Sequence, residues 1–210
     1  MPGLAASLTH AEKKLLLRLA RQGMEAAVRR QAAPALAAEA LTPALERLGC
    51  SFVTLTEEGE LRGCIGGLTA EETLWRDVQQ RAGQAALHDY RFIPVQPDEL
   101  PKIEIEVSVL SEPAPLAYAT ADDLPRLLRP HVDGVVLRHG RQRATFLPQV
   151  WQNVSDPEEF LSLLCDKLGA APDAWRRAHL DVETYQVDEF HESEFEAPSR
   201  IEHPAARPTD

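Results

Sequence analysis

The sequence predicts an α+β fold: two β-β-α-β units of similar plan sharing one core, preceded by an extra N-terminal helix. Three observations carry this reading. A hairpin, a capped helix and an alternating strand follow one another twice, over about residues 50–110 and 132–188. Within the strand 102–110, residues 102–109 alternate polar and apolar, the period of a half-buried strand. Thr9/Glu12, Thr69/Glu72 and Ser155/Glu158 each set a hydroxyl three residues before a carboxylate, the spacing of a capping box.

Thr9-His10-Ala11-Glu12 opens a helix to about Gln31, with Leu15, Leu16, Leu19, Met24, Ala27 and Val28 on or near one side. Pro34 begins an Ala/Leu-rich connection. Thr42-Pro43 starts a short helix that stops at Leu48-Gly49, because proline suits the first helical position. A hairpin follows, with arms Cys50–Thr56 and Leu61–Gly67 about the turn Glu57-Glu58-Gly59-Glu60. From Glu71 to about His88 a helix carries Leu74, Trp75, Val78, Ala82, Ala85 and Ala86 at helical spacing, which is core packing. On the strand 102–110, Ile103, Ile105, Val107 and Val109 take one face, and Glu104, Glu106 and Ser108 the other. A linker with Pro113 and Pro115 leads to a short helix, Asp122 to Arg129.

The plan then repeats: a strand at 134–138, the turn His139-Gly140, and a strand from Gln142 to Leu147. The helix after Ser155 carries Phe160, Leu161, Leu164 and Leu168, and Gly169 ends it. Val182–Val187 reads as the closing strand. Laying Gly59 over Gly140 puts Arg62 over Arg143 and Cys64 over Thr145. Periodicity fades from about Glu189. The domain is read as 1–192, and the acidic, Pro/Ala-rich 193–210 as a mobile tail.

Composition narrows the function classes. The chain is 44% hydrophobic and 26% charged, like an ordinary soluble globular protein. No apolar run approaches the ~20 residues of a membrane span, and no signal-peptide core follows Met1, so the expected location is cytoplasmic. A formal charge of −11 opposes nucleic-acid binding, although much of it lies in the last thirty residues. Arg18, Arg21, Arg29 and Arg30 form a basic helix face, read as solvated. Three cysteines without a CxxC pair argue against a disulfide framework or zinc ribbon. Scattered histidines leave no metal site and no cofactor expected.

The stretch with most chemistry is Leu61-Arg62-Gly63-Cys64-Ile65-Gly66-Gly67. Arg62 and Cys64 stand two apart, which on a regular strand places them on one face. A thiol beside a guanidinium, among glycines that leave access open, is a candidate nucleophile with a lowered pKa; the plain alternative is a satisfied core cysteine. Glu104 and Glu106 are candidate acid–base groups if their strand face walls the same cleft. Gly63, Gly66, Asp89, Arg91, Ser108 and Thr145 are candidate binding residues. Asp89 and Arg91 have an equally good reading as a local cap and ion pair.

These residues resemble a known family. Leu61-Arg62-Gly63-Cys64-Ile65-Gly66 looks like the signature of the AMMECR domain, whose bacterial and archaeal members are called AmmeMemoRadiSam system protein A. In register with it stand Asp89…Arg91-Phe92…Pro94, Glu104…Glu106-Val107-Ser108-Val109-Leu110 and Thr145-Phe146-Leu147-Pro148-Gln149-Val150. Phe160-Leu161…Leu164-Cys165…Lys167-Leu168-Gly169, Trp175 and Tyr185…Phe190…Glu192 follow. The likeness spans about residues 8–192; Tyr90 departs from it, where the family usually has proline. It implies two swapped β-β-α-β repeats, and a Memo-like protein and a radical-SAM protein as partners, with no settled activity. Two function classes follow. In the first, an accessory factor or small enzyme uses Cys64. In the second, a non-catalytic module holds a small anion or partner peptide through Arg62.

Overall fold

In the computed structural model, residues 8–37 and 40–195 are described. The chain runs through α1 (His10–Val28), α2 (Pro43–Glu46), β1 (Leu48–Gly49), β2 (Ser51–Glu57), β3 (Glu60–Gly66), β4 (Glu72–Thr73), α3 (Leu74–Leu87) and β5 (Ile103–Leu110). It continues through β6 (Ala114–Pro115), α4 (Leu124–Leu127), β7 (Gly134–His139), β8 (Gln142–Phe146), α5 (Pro157–Leu168), α6 (Ala174–Arg177), β9 (Asp181–Tyr185) and β10 (Val187–His191).

Two of the three capping expectations need correction. At α1 the capping box forms as expected from Thr9 and Glu12. Thr69 caps nothing: residues 72–73 pair with 48–49 as a small antiparallel ribbon, and α3 starts behind them at Leu74. Pairing of the backbone there takes precedence over the cap, and Asp77 ties α3 to the hairpin instead. Its carboxylate accepts from the Ser51 N–H at 2.8 Å and from its hydroxyl at 2.7 Å. At α5 the N-cap is Asp156, which accepts from the N–H groups of Glu158 and Glu159. Its C-cap is Gly169, at φ 82° as a left-handed cap requires.

Two four-stranded sheets result, in the orders β10-β5-β2-β3 and β6-β9-β7-β8. Within them β5-β2-β3 and β9-β7-β8 follow one plan, with the third strand of each unit beside the first. The fourth strands are exchanged. β6 leaves the first unit to pair with β9, and β10 leaves the second to pair with β5. The single closing strand expected at 182–187 is therefore two strands, broken at Gln186, and the chain stays ordered past Glu189.

The expected shared core resolves into two cores and a junction. The first sheet packs Val53, Leu55, Ile105 and Val107 against α1 and α3, and Phe190 of the exchanged β10 joins them. The second packs Val135, Leu137 and Val182 against α5, around Trp151 stacked on Phe160 at 3.7 Å. Cys50, Leu110, Val136 and Tyr185 form a small cluster where the two sheets meet. Of the tail, Glu192–Glu194 is a 3-10 turn and Phe195 packs on the first core; residues 196–210 lie outside the described residues. Arg21 is not solvated: it donates to the Leu100 and Ile103 carbonyls and pairs with Glu192.

Candidate functional site

β3 is the edge of the first sheet, and its outer side at Cys64 is closed by an ion pair. The Cys64 N–H points away from β2 and donates to Asp89 Oδ2 at 2.9 Å. Its carbonyl accepts from Arg91 Nη2 at 3.3 Å. Asp89 and Arg91 pair at 2.6 Å, so two charged side chains stand where a further strand would dock. Hydrogen bonds from Arg91 hold the buried Asp89 carboxyl far below the usual carboxylate range, helped by the Cys64 N–H and against the cost of burial.

The face of this sheet turned away from α1 and α3 is polar. Cys64, Thr54, Glu106 and His191 lie opposite one another in consecutive strands, one row across β3, β2, β5 and β10. Thr54 Oγ1 lies 3.4 Å from Cys64 Sγ and donates to it. Burial, and then the neighbouring Glu189, push the Glu106 carboxyl above its ordinary pKa. Ser108 Oγ lies 3.4 Å from Glu106 Oε1. From the second unit Gln149 reaches over this face: its amide nitrogen donates to Glu189 and lies 3.5 Å from Ser108 Oγ. Its carbonyl oxygen is buried without a partner among the described residues.

A sequence profile of the AMMECR1 family matches residues 17–190. The chain belongs to the AMMECR1 family. A protein of Methanothermobacter thermautotrophicus is 38% identical over 188 residues, covering 89% of this chain and 97% of the relative. One of Methanosarcina barkeri is 36% identical over 89% of this chain and 93% of its own. The crystal structure of an uncharacterized protein from Pyrococcus horikoshii superposes with a TM-score of 0.76 at 31% identity. It covers 85% of this chain and 90% of that one.

Within this AMMECR1 domain, several residues expected at one site separate. Arg62 and Cys64 engage separate partners, and a bulge lies at Arg62: Leu55 lies opposite Gly63 and Thr56 opposite Leu61, leaving Arg62 with no cross-strand partner. The 93–99 segment engages Arg62, which grips Glu99 at 2.7 and 3.2 Å and donates to the Ile93 carbonyl at 2.9 Å. The Arg91 guanidinium does reach Cys64, donating from Nη2 to its carbonyl. Gly63 faces α3, where a Cβ would stand 2.3 Å from the Ala85 carbonyl oxygen; Gly66 makes room for the Phe52 ring. Both glycines admit close packing that a Cβ would block.

Glu104 lies exposed towards the end of the polar face. Thr145 occupies the position of Cys64 in the second unit, opposite Val136, and bonds the Val135 carbonyl and the Tyr185 hydroxyl. It is remote in role, fixing the junction. Glu106 and Ser108 do share the face of Cys64. Thr54, Gln149, Glu189 and His191 were missed as site residues. Thr54 is legible by registering the hairpin on itself, and Glu189 with His191 by their strand spacing of two. Nothing short of the lobe packing finds Gln149. One ligand atom each of Glu106, Glu189 and His191 falls within 4.8 Å of the others, a set able to hold a cation.

Proposed function

We propose that this AMMECR1-family chain is an accessory factor or small enzyme whose working group is the Cys64 thiol, acting beside a Memo-like protein and a radical-SAM protein. The observation that supports it is the row Cys64–Thr54–Glu106–His191 on a polar face overhung by Gln149. Cys64 alone of the three cysteines is not buried. Thr54 orients its sulfur. Glu106 stands two strands away, about 10 Å between backbones. It keeps its proton to higher pH than an ordinary carboxyl and can pass it to a ligand lying across β2. In this reading Arg62 and Arg91 position the strand from behind, and the partners rest on the family resemblance.

The alternative, a non-catalytic module holding a small anion or partner peptide through Arg62, requires the ligand to compete with Glu99 and the Ile93 carbonyl. Metabolite turnover screening and affinity capture of host proteins, each with wild type and Cys64→Ser, test the proposal. Loss of turnover with capture of both partners retained supports a catalytic thiol. Turnover unchanged by Cys64→Ser and by alkylation of Cys64, or no capture of either partner by the wild type, overturns it.

A further inference from the structure

A second concave site lies at the junction of the two units and shares no lining residue with the Cys64 face. It is a cavity of about 670 Å³, within the ~300–1,000 Å³ range of small-ligand pockets. Its floor is apolar, from Leu68, Leu110 and Pro113, with Cys50 between them; burial pushes that thiol up to about 11, so it takes part as a neutral surface.

Three guanidiniums line the same cavity: Arg47 from the turn after α2, Arg138 from β7 and Arg143 from β8. Arg138 and Arg143 are directly opposite one another across β7 and β8. Like charges in that position repel, and a sheet keeps them at a cost unless an anion lies between. Two carboxylates line the cavity with them: Glu183, which binds Arg138 at 3.1 Å, and Glu112, which pairs with none of the three among the described residues. Arg143 has neither an ion pair nor a side-chain hydrogen bond among the described residues. Arg47 is half-buried and spends its Nε on the Ala44 carbonyl at 3.3 Å. Arg47 and Arg143 thus line the cavity without an ion-pair partner among the described residues, in a chain whose formal charge is −11.

We infer that this cavity is a binding site for a small organic phosphate. A phosphate monoester is a dianion at neutral pH and offers the oxygen geometry that arginine forks match. It pairs with Arg47 and Arg143, which make no ion pair among the described residues, while its organic part covers Leu68, Leu110 and Pro113. The inference is separate from the Cys64 reading and stands or falls without it.

Calorimetric titration of the full chain tests it, with phenyl phosphate, inorganic phosphate and benzoate as probes. Phenyl phosphate is expected to bind most tightly. Inorganic phosphate lacks the apolar body, and benzoate the second charge. Arg143→Ala is expected to weaken phenyl phosphate binding tenfold or more without lowering the melting temperature, since its removal relieves the repulsion across β7 and β8 and breaks no ion pair among the described residues. Arg143→Lys should recover only part of the affinity, and rising salt should weaken binding. Cys64→Ser should bind like wild type. Absence of phenyl phosphate binding, equal affinity for all three probes, or full affinity in Arg143→Ala overturns the inference.

Discussion

At the scale of single residues, the contrast among the three cysteines is the most direct measurement. Burial pushes the Cys50 thiol up to about 11 and raises that of Cys165, whereas Cys64 is partly open. Iodoacetamide at neutral pH, followed by mass spectrometry over time, should modify Cys64 well before the other two. Two carboxyls predict opposite pH signatures. Asp89 is held low in the folded state, so it contributes stability above its unfolded value of about 3.9 that is lost as pH falls. Asp89→Asn should therefore lower the urea midpoint at pH 7 and converge on wild type in strong acid. Glu106 is raised, so its cost appears as pH climbs past about 4.3 through its folded value. Glu106→Gln should raise the urea midpoint at pH 7, with no gain at pH 3. A working carboxyl carries such a cost.

At the scale of elements, the bulge at Arg62 and the edge at Cys64 explain what sequence reading could and could not reach. Alternation along 103–109 and the helical spacing of Leu74, Val78, Ala82, Ala85 and Ala86 predicted both buried faces, because burial repeats with the period of the backbone. The bulge breaks that period by one residue, and no local signal marks which residue is extra. Nor does any local signal show that Glu99 and the Ile93 carbonyl hold Arg62, or that Gly63 lies against the Ala85 carbonyl. The capping box at Thr69 failed for a related reason: a partner far along the chain, residues 48–49, claimed the same backbone. Two substitutions separate packing from site. Leu74→Ala, fully buried in the first core, should cost ~2–5 kcal/mol in chemical denaturation. Arg62→Ala should loosen the 93–99 segment, seen as faster amide exchange there, while Cys64 labelling stays ahead of Cys50.

At the scale of the whole molecule, the exchange of β6 and β10 binds the units more firmly than the small junction cluster does. Each sheet contains a strand that follows the other unit's last strand in the chain, so neither is complete alone. Thermal unfolding should give one transition. Trp75 in the first unit and Trp151 and Trp175 in the second report it from both sides, and their fluorescence should move together with far-UV ellipticity. Separate transitions would count against the interlock. The exchange also has a consequence for synthesis. A chain emerging from the ribosome presents α1, the first hairpin, α3 and β5 early, but the strand that covers β5 comes at Val187–His191. The N-terminal half must wait, with β5 an open edge and the space of Phe190 unfilled, until nearly all the described chain has been made. Nascent chains arrested at residue 186 should stay protease-sensitive in their first half, and those released at residue 195 should not.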